Sequence, residues 1–406
     1  MEFITGLYLL FIFISLYVSF LFILLYFKNK DDMYRYELIK DLPFISVLIP
    51  AYNEEDSIKE TIETIKQADY PKDLIEIIAI NDGSTDKTLE ILKTIKDIKI
   101  IDKKNSGKAD SLNLALKIAK GEIIAINDAD SFPEKDAFLK MVYVFKEPDV
   151  GAVTSSILAR NKNNLLEKLQ AIEYMLIAYG RKLLEYLDGV FVTPGALSMY
   201  RKEALLKIGG FDKNNLTEDI EIAWNLLSQL YKVKMCFAAR TYTIVPSKFK
   251  KWWRQRLRWD IGGFQTLNKY KKVFFNKKYG SLGTFVVPFF GSYIALSFIG
   301  IFLFVFLMFR RLIKEYFSFY TSYLTDTNLF RINELYLIPN VFTFFGIFLF
   351  LIFLIYTIIG LKMIHKEKLS IGNKINILIY LLFYVTLTPI LLIHSVYRML
   401  IGKLQW

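Results

Sequence analysis

Acidic residues in this chain recur just after short apolar runs, where they could bind a cation or move a proton. Asp128-Ala129-Asp130 follows the run Glu122–Ile126. Two alternating carboxylates at a strand end offer oxygen to a divalent ion, which then bridges to a diphosphate and neutralises charge on a leaving group. The plain structural alternative is an Asx-rich turn. Thr217-Glu218-Asp219 precedes the apolar segment Ile220–Leu230. As structure, Thr217 caps a helix and the acids favour its positive end; as chemistry, a carboxylate there takes a proton from an attacking hydroxyl. The turn Asn81–Asp86 (NDGSTD) either caps the next helix through Ser84 or Thr85, or presents Asp82 to a nucleobase while Gly83 lets backbone approach it. Gly107-Lys108-Ala109-Asp110 lacks the spacing of a P-loop, and leaves Lys108 at a helix start to meet a phosphate or water. Lys248–Trp259 (KFKKWWRQRLRW) interleaves cations with three tryptophans. That pattern fits single-stranded nucleic acid or an amphipathic helix at a membrane surface; the adjoining apolar runs favour the membrane, and its arginines suit a diphosphate.

The elements that must position these groups alternate. Phe44–Pro50 (FISVLIP) reads as a buried parallel strand, and a helical stretch opens at Asn53-Glu54-Glu55 and runs to about Gln67. Leu74–Ile80 is the next strand, followed by a helix to about Lys96. Lys99–Asp102 is a third strand, Asp110–Lys120 a helix, and Glu122–Ile126 a fourth strand. Polar clusters at the carboxyl ends of strands are how an open α/β sheet binds a nucleotide. A helix over about Asn163–Leu187 carries an apolar stripe (Leu165, Leu169, Ile172, Leu176, Tyr179, Leu183) that suits either the sheet or the bilayer.

The rest of the chain is apolar: 53% of all residues are hydrophobic. Phe3–Phe27, Leu282–Phe309, Ile338–Leu361 and Ile375–Leu400 are each near or above the ~20 residues that cross a bilayer as helix. The first lacks the basic start and small-residue cleavage site of a secretory signal. The net charge of +12 gathers beside these runs, at Lys28, Lys30, Arg35 and Lys40, at Lys269, Lys271, Lys272, Lys277 and Lys278, and at Lys362, Lys366, Lys368 and Lys374. This is the positive-inside pattern rather than a nucleic-acid footprint, although Arg310, Arg311, Lys314 and Arg331 fall on the other side. It predicts an amino terminus outside, a cytosolic Lys28–Leu282, and Trp406 outside. The expected layout is a spanning helix over 1–27, a cytosolic domain over 28–246, an interfacial segment over 247–280, and about three spanning helices over 281–406. One cysteine, Cys236, excludes an internal disulfide framework. Two histidines, His365 and His394, make a zinc site or a Ser-His-Asp triad a poor fit, so a metal here is oxygen-ligated Mg²⁺ or Mn²⁺.

The ordered set of Pro50-Ala51-Tyr52-Asn53-Glu54-Glu55, the NDGSTD turn, D-A-D, T-E-D and Gln255-Arg256-Leu257-Arg258-Trp259 (Q-x-x-R-W) resembles the membrane-integrated family 2 inverting glycosyltransferases. The likeness is to their processive branch of cellulose, chitin, hyaluronan and poly-N-acetylglucosamine synthases, and it covers about Phe44 to Trp259. It implies a GT-A-like α/β domain with interfacial helices, joined to about four spanning helices. It implies that Ala51, Asn53, Glu54 and Asp82 hold a uridine with Lys108 nearby. Asp128 and Arg258 contact the sugar nucleotide, and Asp130 the metal. Asp219 is the general base, supported by Glu218. Gln255, Trp259 and, in the looser match Thr193-Pro194-Gly195-Ala196, Gly195 meet the acceptor. The expected reaction is inverting transfer from a UDP-sugar to a growing glycan at the cytosolic face, coupled to translocation. Transfer of one sugar to a lipid or short glycan is the alternative, because the W-G-T-[RK] gating motif of several larger synthases is absent.

Overall fold

A computed structural model describes residues 2–325, 341–364 and 371–402. Arg331, His365, Lys366, Lys368 and Trp406, and the start of the third apolar run, lie outside the described residues. The strands are β1 Ile45–Ala51, β2 Ile75–Asp82, β3 Lys99–Lys103, β4 Ile123–Ile126, β5 Ser131–Pro133, β6 Val150–Ala159, β7 Ser198–Arg201 and β8 Lys232–Thr243. The helices are α1 Glu2–Asn29, α2 Ile58–Lys66, α3 Thr88–Thr94, α4 Lys108–Ile118, α5 Ala137–Val142, α6 Leu165–Glu185, α7 Lys202–Lys207, α8 Glu218–Ser228, α9 Phe249–Tyr270, α10 Val287–Leu324, α11 Val341–Ile364 and α12 Ile371–Leu400.

The chain divides into two compact units, Met1–Leu24 with Phe290–Ile359, and Leu25–Phe289 with Gly360–Trp406. The second holds one eight-stranded sheet in the order β3-β2-β1-β4-β7-β6-β8-β5. The four expected strands form its parallel half, with β1 between β2 and β4. The β-branched runs of β1, β2 and β4 are largely buried because helices cover both faces, while β3 is a half-exposed edge strand; Val47 and Ile49 join Ile58, Ile62 and Ile65 of α2 in one core. β5 to β8 are not part of the sequence expectation. β7 runs antiparallel to both β4 and β6, which turns the sheet direction beside Asp128.

Several boundaries move for local reasons. The helix expected from Asn53 starts only at Ile58, since Asn53 adopts φ 57° and residues 53–55 hydrogen-bond to the turn after β2. Ser84 and Thr85 cap nothing: Ser84 Oγ accepts from Asn53 N, Thr85 N donates to Asn53 Oδ1, and α3 begins at Thr88. Thr217 stands at the start of α8, but its hydroxyl bonds Asn215 rather than the helix amides. α6 begins with a full capping box between Asn164 and Glu167 and packs on β6, β8 and the apolar helix α12, while Leu176 and Tyr179 of its stripe lie against Gly360 of α11.

Four described helical segments are long and apolar enough to cross a membrane: Phe3–Asn29, Leu282–Leu324, Phe344–Ile364 and Ile375–Leu400. The second overruns the expected end at Phe309. Arg310, Arg311 and Lys314 lie within α10, whose 38 residues reach about 57 Å at 1.5 Å per residue, well beyond a hydrocarbon core of ~30 Å.

Candidate active site

The carboxyl ends of β1, β2 and β4 bring most of the expected residues together. After β1, Asn53 and the backbone of Glu54 and Glu55 are stitched to Ser84, Thr85, Asp86 and Thr88 after β2. The two loops therefore form one rim, with Ala51 buried beneath it. Asp82 lies at the end of β2 and ties down the loop before α4. Its Oδ1 accepts from Ser106 N and its Oδ2 from Gly107 N, both at 2.9 Å, and Lys103 is ion-paired with it. Asp82 thus fixes the loop that delivers Lys108, and its carboxylate keeps lone pairs open to a further donor.

The D-A-D backbone is clamped from three sides. Thr61 Oγ1 donates to Ala129 O at 2.7 Å, Asn127 Nδ2 donates to the carbonyls of Asp128 and Ser131 at 2.9 Å, and Asp128 N donates to Gly195 O at 2.8 Å. A Cβ on Gly195 would run into the Lys108 ammonium and the Asp128 carboxylate. Gly195 thus packs directly against Lys108 and Asp128. Among the described residues the Asp130 carboxylate accepts from the Ser131 and Thr243 hydroxyls, at 3.2 and 3.4 Å. Burial, then the charges of Asp128 and Glu54, push its pKa up to about 7. Burial raises Glu54 as well, against the Ser57 hydroxyl, with Asp128 adding to the rise. This is a cluster with excess negative charge and oxygen donors only, which suits a hard divalent cation. Among the described residues no group of three or more His, Cys, Asp or Glu side chains could cage an ion. Bound metal would have to complete its shell from diphosphate or water.

Lys108 bridges the two acidic motifs, with Nζ 2.6 Å from Asp128 and 2.9 Å from Glu218. Burial opposes ionisation of Glu218, but the Lys108 ion pair and then Arg258 outweigh it and hold the pKa low. Asp219 goes the other way. Burial, then the Glu218 charge, push it up to about 6 against the pull of Lys108 and Arg258. Adjacent acids with opposed shifts are the pattern of a proton acceptor beside an electrostatic partner. Asp219 is held by its backbone: its carbonyl accepts from Thr193 N and Thr193 Oγ1, and Tyr200 OH donates to Thr193 Oγ1 at 2.8 Å. A small cleft brings Asp219 together with Lys108, Thr193, Gly195 and Glu218, with Leu112 and Ile126 on its apolar wall.

Gln255, Arg258 and Trp259 follow on α9. Arg258 is exposed and acts electrostatically on both Glu218 and Asp219, whereas Trp259 is half-buried. Trp253 of the same helix donates to His394 on α12 at 3.0 Å, so His394 is a packing partner here. α6 adds polar side chains absent from the sequence expectation: Gln170, Glu173 and Arg181 are buried, and Tyr174 is half-buried among them. Tyr174 is in electrostatic reach of Asp128, Asp130 and Arg256, and its hydroxyl is pushed up to about 12 by burial. Burial pulls Arg181 down to about 10 while nearby Asp219 opposes the shift. Their spacing of seven residues, polar positions flanking an apolar stripe, is the signal in the sequence that marks them.

A sheet whose strand ends carry this carboxylate cluster, joined to helices long enough to span a bilayer, defines a membrane-linked glycosyltransferase. Residues 46–209 match the glycosyl transferase family 2 profile, and the chain belongs to that family. It is 35% identical over 266 residues to the poly-beta-1,6-N-acetyl-D-glucosamine synthase of Staphylococcus epidermidis, covering 63% of this chain and 64% of the relative, just under two thirds of its length. The synthase of the same description from Staphylococcus aureus (strain MSSA476) is 34% identical over 280 residues, 66% of this chain and 67% of that one. Among solved structures, a mannosyltransferase from Pyrobaculum calidifontis in complex with GDP-Man and Mn²⁺ superposes with a TM-score of 0.52 at 22% identity, over 71% of this chain and 86% of that one. This likeness is one of fold.

Proposed function

We propose that the chain transfers N-acetylglucosamine from UDP-N-acetylglucosamine to a hydroxyl of a growing glycan, with inversion, at the cytosolic face of a membrane. The observation that carries this reading is the pair Glu218 and Asp219, one carboxylate held low by Lys108 and the other raised beside a cleft next to the D-A-D cluster. The choice of sugar rests on the Staphylococcus relatives. Asn53, Glu54 and Ala51 line the uridine side. Asp130 and Asp128 would hold Mg²⁺ or Mn²⁺, which when bound offsets the charge of the diphosphate.

In the transfer step the acceptor O–H gives its proton to the Asp219 carboxylate. The acceptor oxygen forms the new bond to the anomeric carbon as the carbon–oxygen bond to UDP breaks, and UDP keeps that electron pair. Lys108 is free to shift from Asp128 toward the diphosphate, and Arg258 supplies a second cation. Trp259 offers its ring to the acceptor sugar, with Gln255 beside it. The topology that fits is a cytosolic domain over 28–246, an interfacial segment over 247–280, spanning helices on either side and the amino terminus outside. One-sugar transfer to a lipid or short glycan is the second reading, favoured by the missing gating motif.

The assay that tests the donor is UDP release by the full chain in lipid nanodiscs, offered a panel of UDP-sugars with Mg²⁺ or Mn²⁺. UDP-N-acetylglucosamine is expected to dominate; preferential turnover of another UDP-sugar overturns the choice of donor. Because Asp219 accepts the proton only when ionised, kcat/KM should climb as pH rises through about 6 and level off above it. A profile flat to well below that pH would contradict the assignment of the base.

A further inference from the structure

Arg256 lies between the motif residues Gln255 and Arg258 and so far has no role. Its guanidinium sits 3.9 Å from the centroid of the Trp259 ring, three residues further along α9, a spacing that puts two side chains on one helix face. The group is buried, and its position is set from outside α9. Nη2 is ion-paired with Glu173 of α6, and the same Glu173 oxygen accepts a 2.6 Å hydrogen bond from the Tyr384 hydroxyl of α12. Trp252 fills the space beneath, its ring 5.2 Å from Phe383 and 6.1 Å from Tyr384. α12 makes two more polar ties to α9, from Trp253 to His394 and from Ser395 to Asp260, both at 3.0 Å.

Stability alone does not account for this arrangement. A buried ion pair rarely adds net stability over well-packed apolar groups of the same shape, and polar groups in an apolar spanning helix carry a penalty. What an ion pair adds over apolar packing is a fixed orientation. A guanidinium on one face of an indole holds the ring flat and leaves the opposite face for a sugar's C–H surface. The same neighbourhood keeps polar atoms in reserve: Arg256 Nε and Nη1 and Gln255 Oε1 are buried without hydrogen-bond partners among the described residues.

We propose that Tyr384, Glu173 and Arg256 form a positioning relay through which the apolar helix α12 sets the Trp259 ring for the acceptor glycan. The inference rests on the reading of Trp259 as the acceptor platform. Removing the relay should affect use of the acceptor and leave donor handling alone.

The test uses the full chain in nanodiscs with UDP-N-acetylglucosamine and an N-acetylglucosamine oligosaccharide. It compares Tyr384→Phe, which deletes one hydroxyl at constant shape, with Arg256→Lys, which keeps the charge and loses the planar face. Loss of the planar guanidinium stacked on the indole should raise the acceptor KM roughly 10-fold in Arg256→Lys. Tyr384→Phe should raise it about 3-fold, as for one hydrogen bond. Donor KM and acceptor-independent UDP release should stay within about twofold in Tyr384→Phe, where the donor site is untouched. Unchanged acceptor KM in both variants, or donor and acceptor constants worsening together in Tyr384→Phe, overturns the relay. A wild-type chain whose UDP release ignores the oligosaccharide overturns the reading of Trp259 instead.

Discussion

Asp219→Asn should lower sugar transfer by roughly 10³-fold, as expected for loss of a general base, while UDP affinity stays within a few-fold. The substitution keeps size and shape. Asn retains an oxygen for the Ile220 amide that now donates to Asp219 Oδ1 at 3.0 Å, and the backbone clamp from Thr193 is untouched. What disappears is the one carboxylate at the cleft whose pKa is raised to about 6 without a salt-bridge partner of its own. Lys108 remains anchored by Asp128 and Glu218. Transfer and UDP binding measured on the same preparation separate the two effects. Near-normal turnover would move the base elsewhere in the site.

Asp130→Asn should act on binding before chemistry. In Mn²⁺ or Mg²⁺ its UDP affinity is expected to fall roughly 10²-fold, the order of a lost metal ligand, and in chelator it should match the unsubstituted chain. The buried Asp130 carboxylate meets two distant hydroxyls and faces the charges of Asp128 and Glu54. Neutralising it therefore removes repulsion from the metal-free protein, so the melting temperature without metal should hold or rise. Titration calorimetry with UDP, with and without metal, reads the first effect and thermal unfolding the second. Metal-dependent UDP binding that survives the substitution would exclude Asp130 as a ligand.

How much of this was legible beforehand depended on the scale of the forces involved. β1, β2 and β4 announce themselves because strands buried on both faces need continuous apolar runs, whereas β3 is a short, half-exposed edge strand. The short strands β5 and β7 do not: Ser131–Pro133 and Ser198–Arg201 hold their places through β8, β4 and β6, partners distant in sequence. Asp128, Asp130, Glu218 and Asp219 were found through motif order, and the fold puts Lys108 between the motifs. The motif marks Asp82 as a nucleobase contact; that its carboxylate also holds the Ser106 and Gly107 amides, more than twenty residues on, is set by the pairing of β2 with β3. Tyr174, Arg181 and the Glu173–Arg256 pair stayed hidden because α6 lies more than sixty residues before α9 in the sequence, and an apolar stripe reports packing without naming what flanks it.

The central claim, inverting transfer of N-acetylglucosamine in succession, is tested most directly by the product itself. The full chain in nanodiscs, supplied with UDP-N-acetylglucosamine and metal, is predicted to yield a ladder of oligomers. Inversion of an α-linked donor makes every new linkage β, as read by mass spectrometry and the anomeric proton couplings. Products that stop after one added sugar would contradict successive transfer, and α linkages would contradict the single displacement at Asp219.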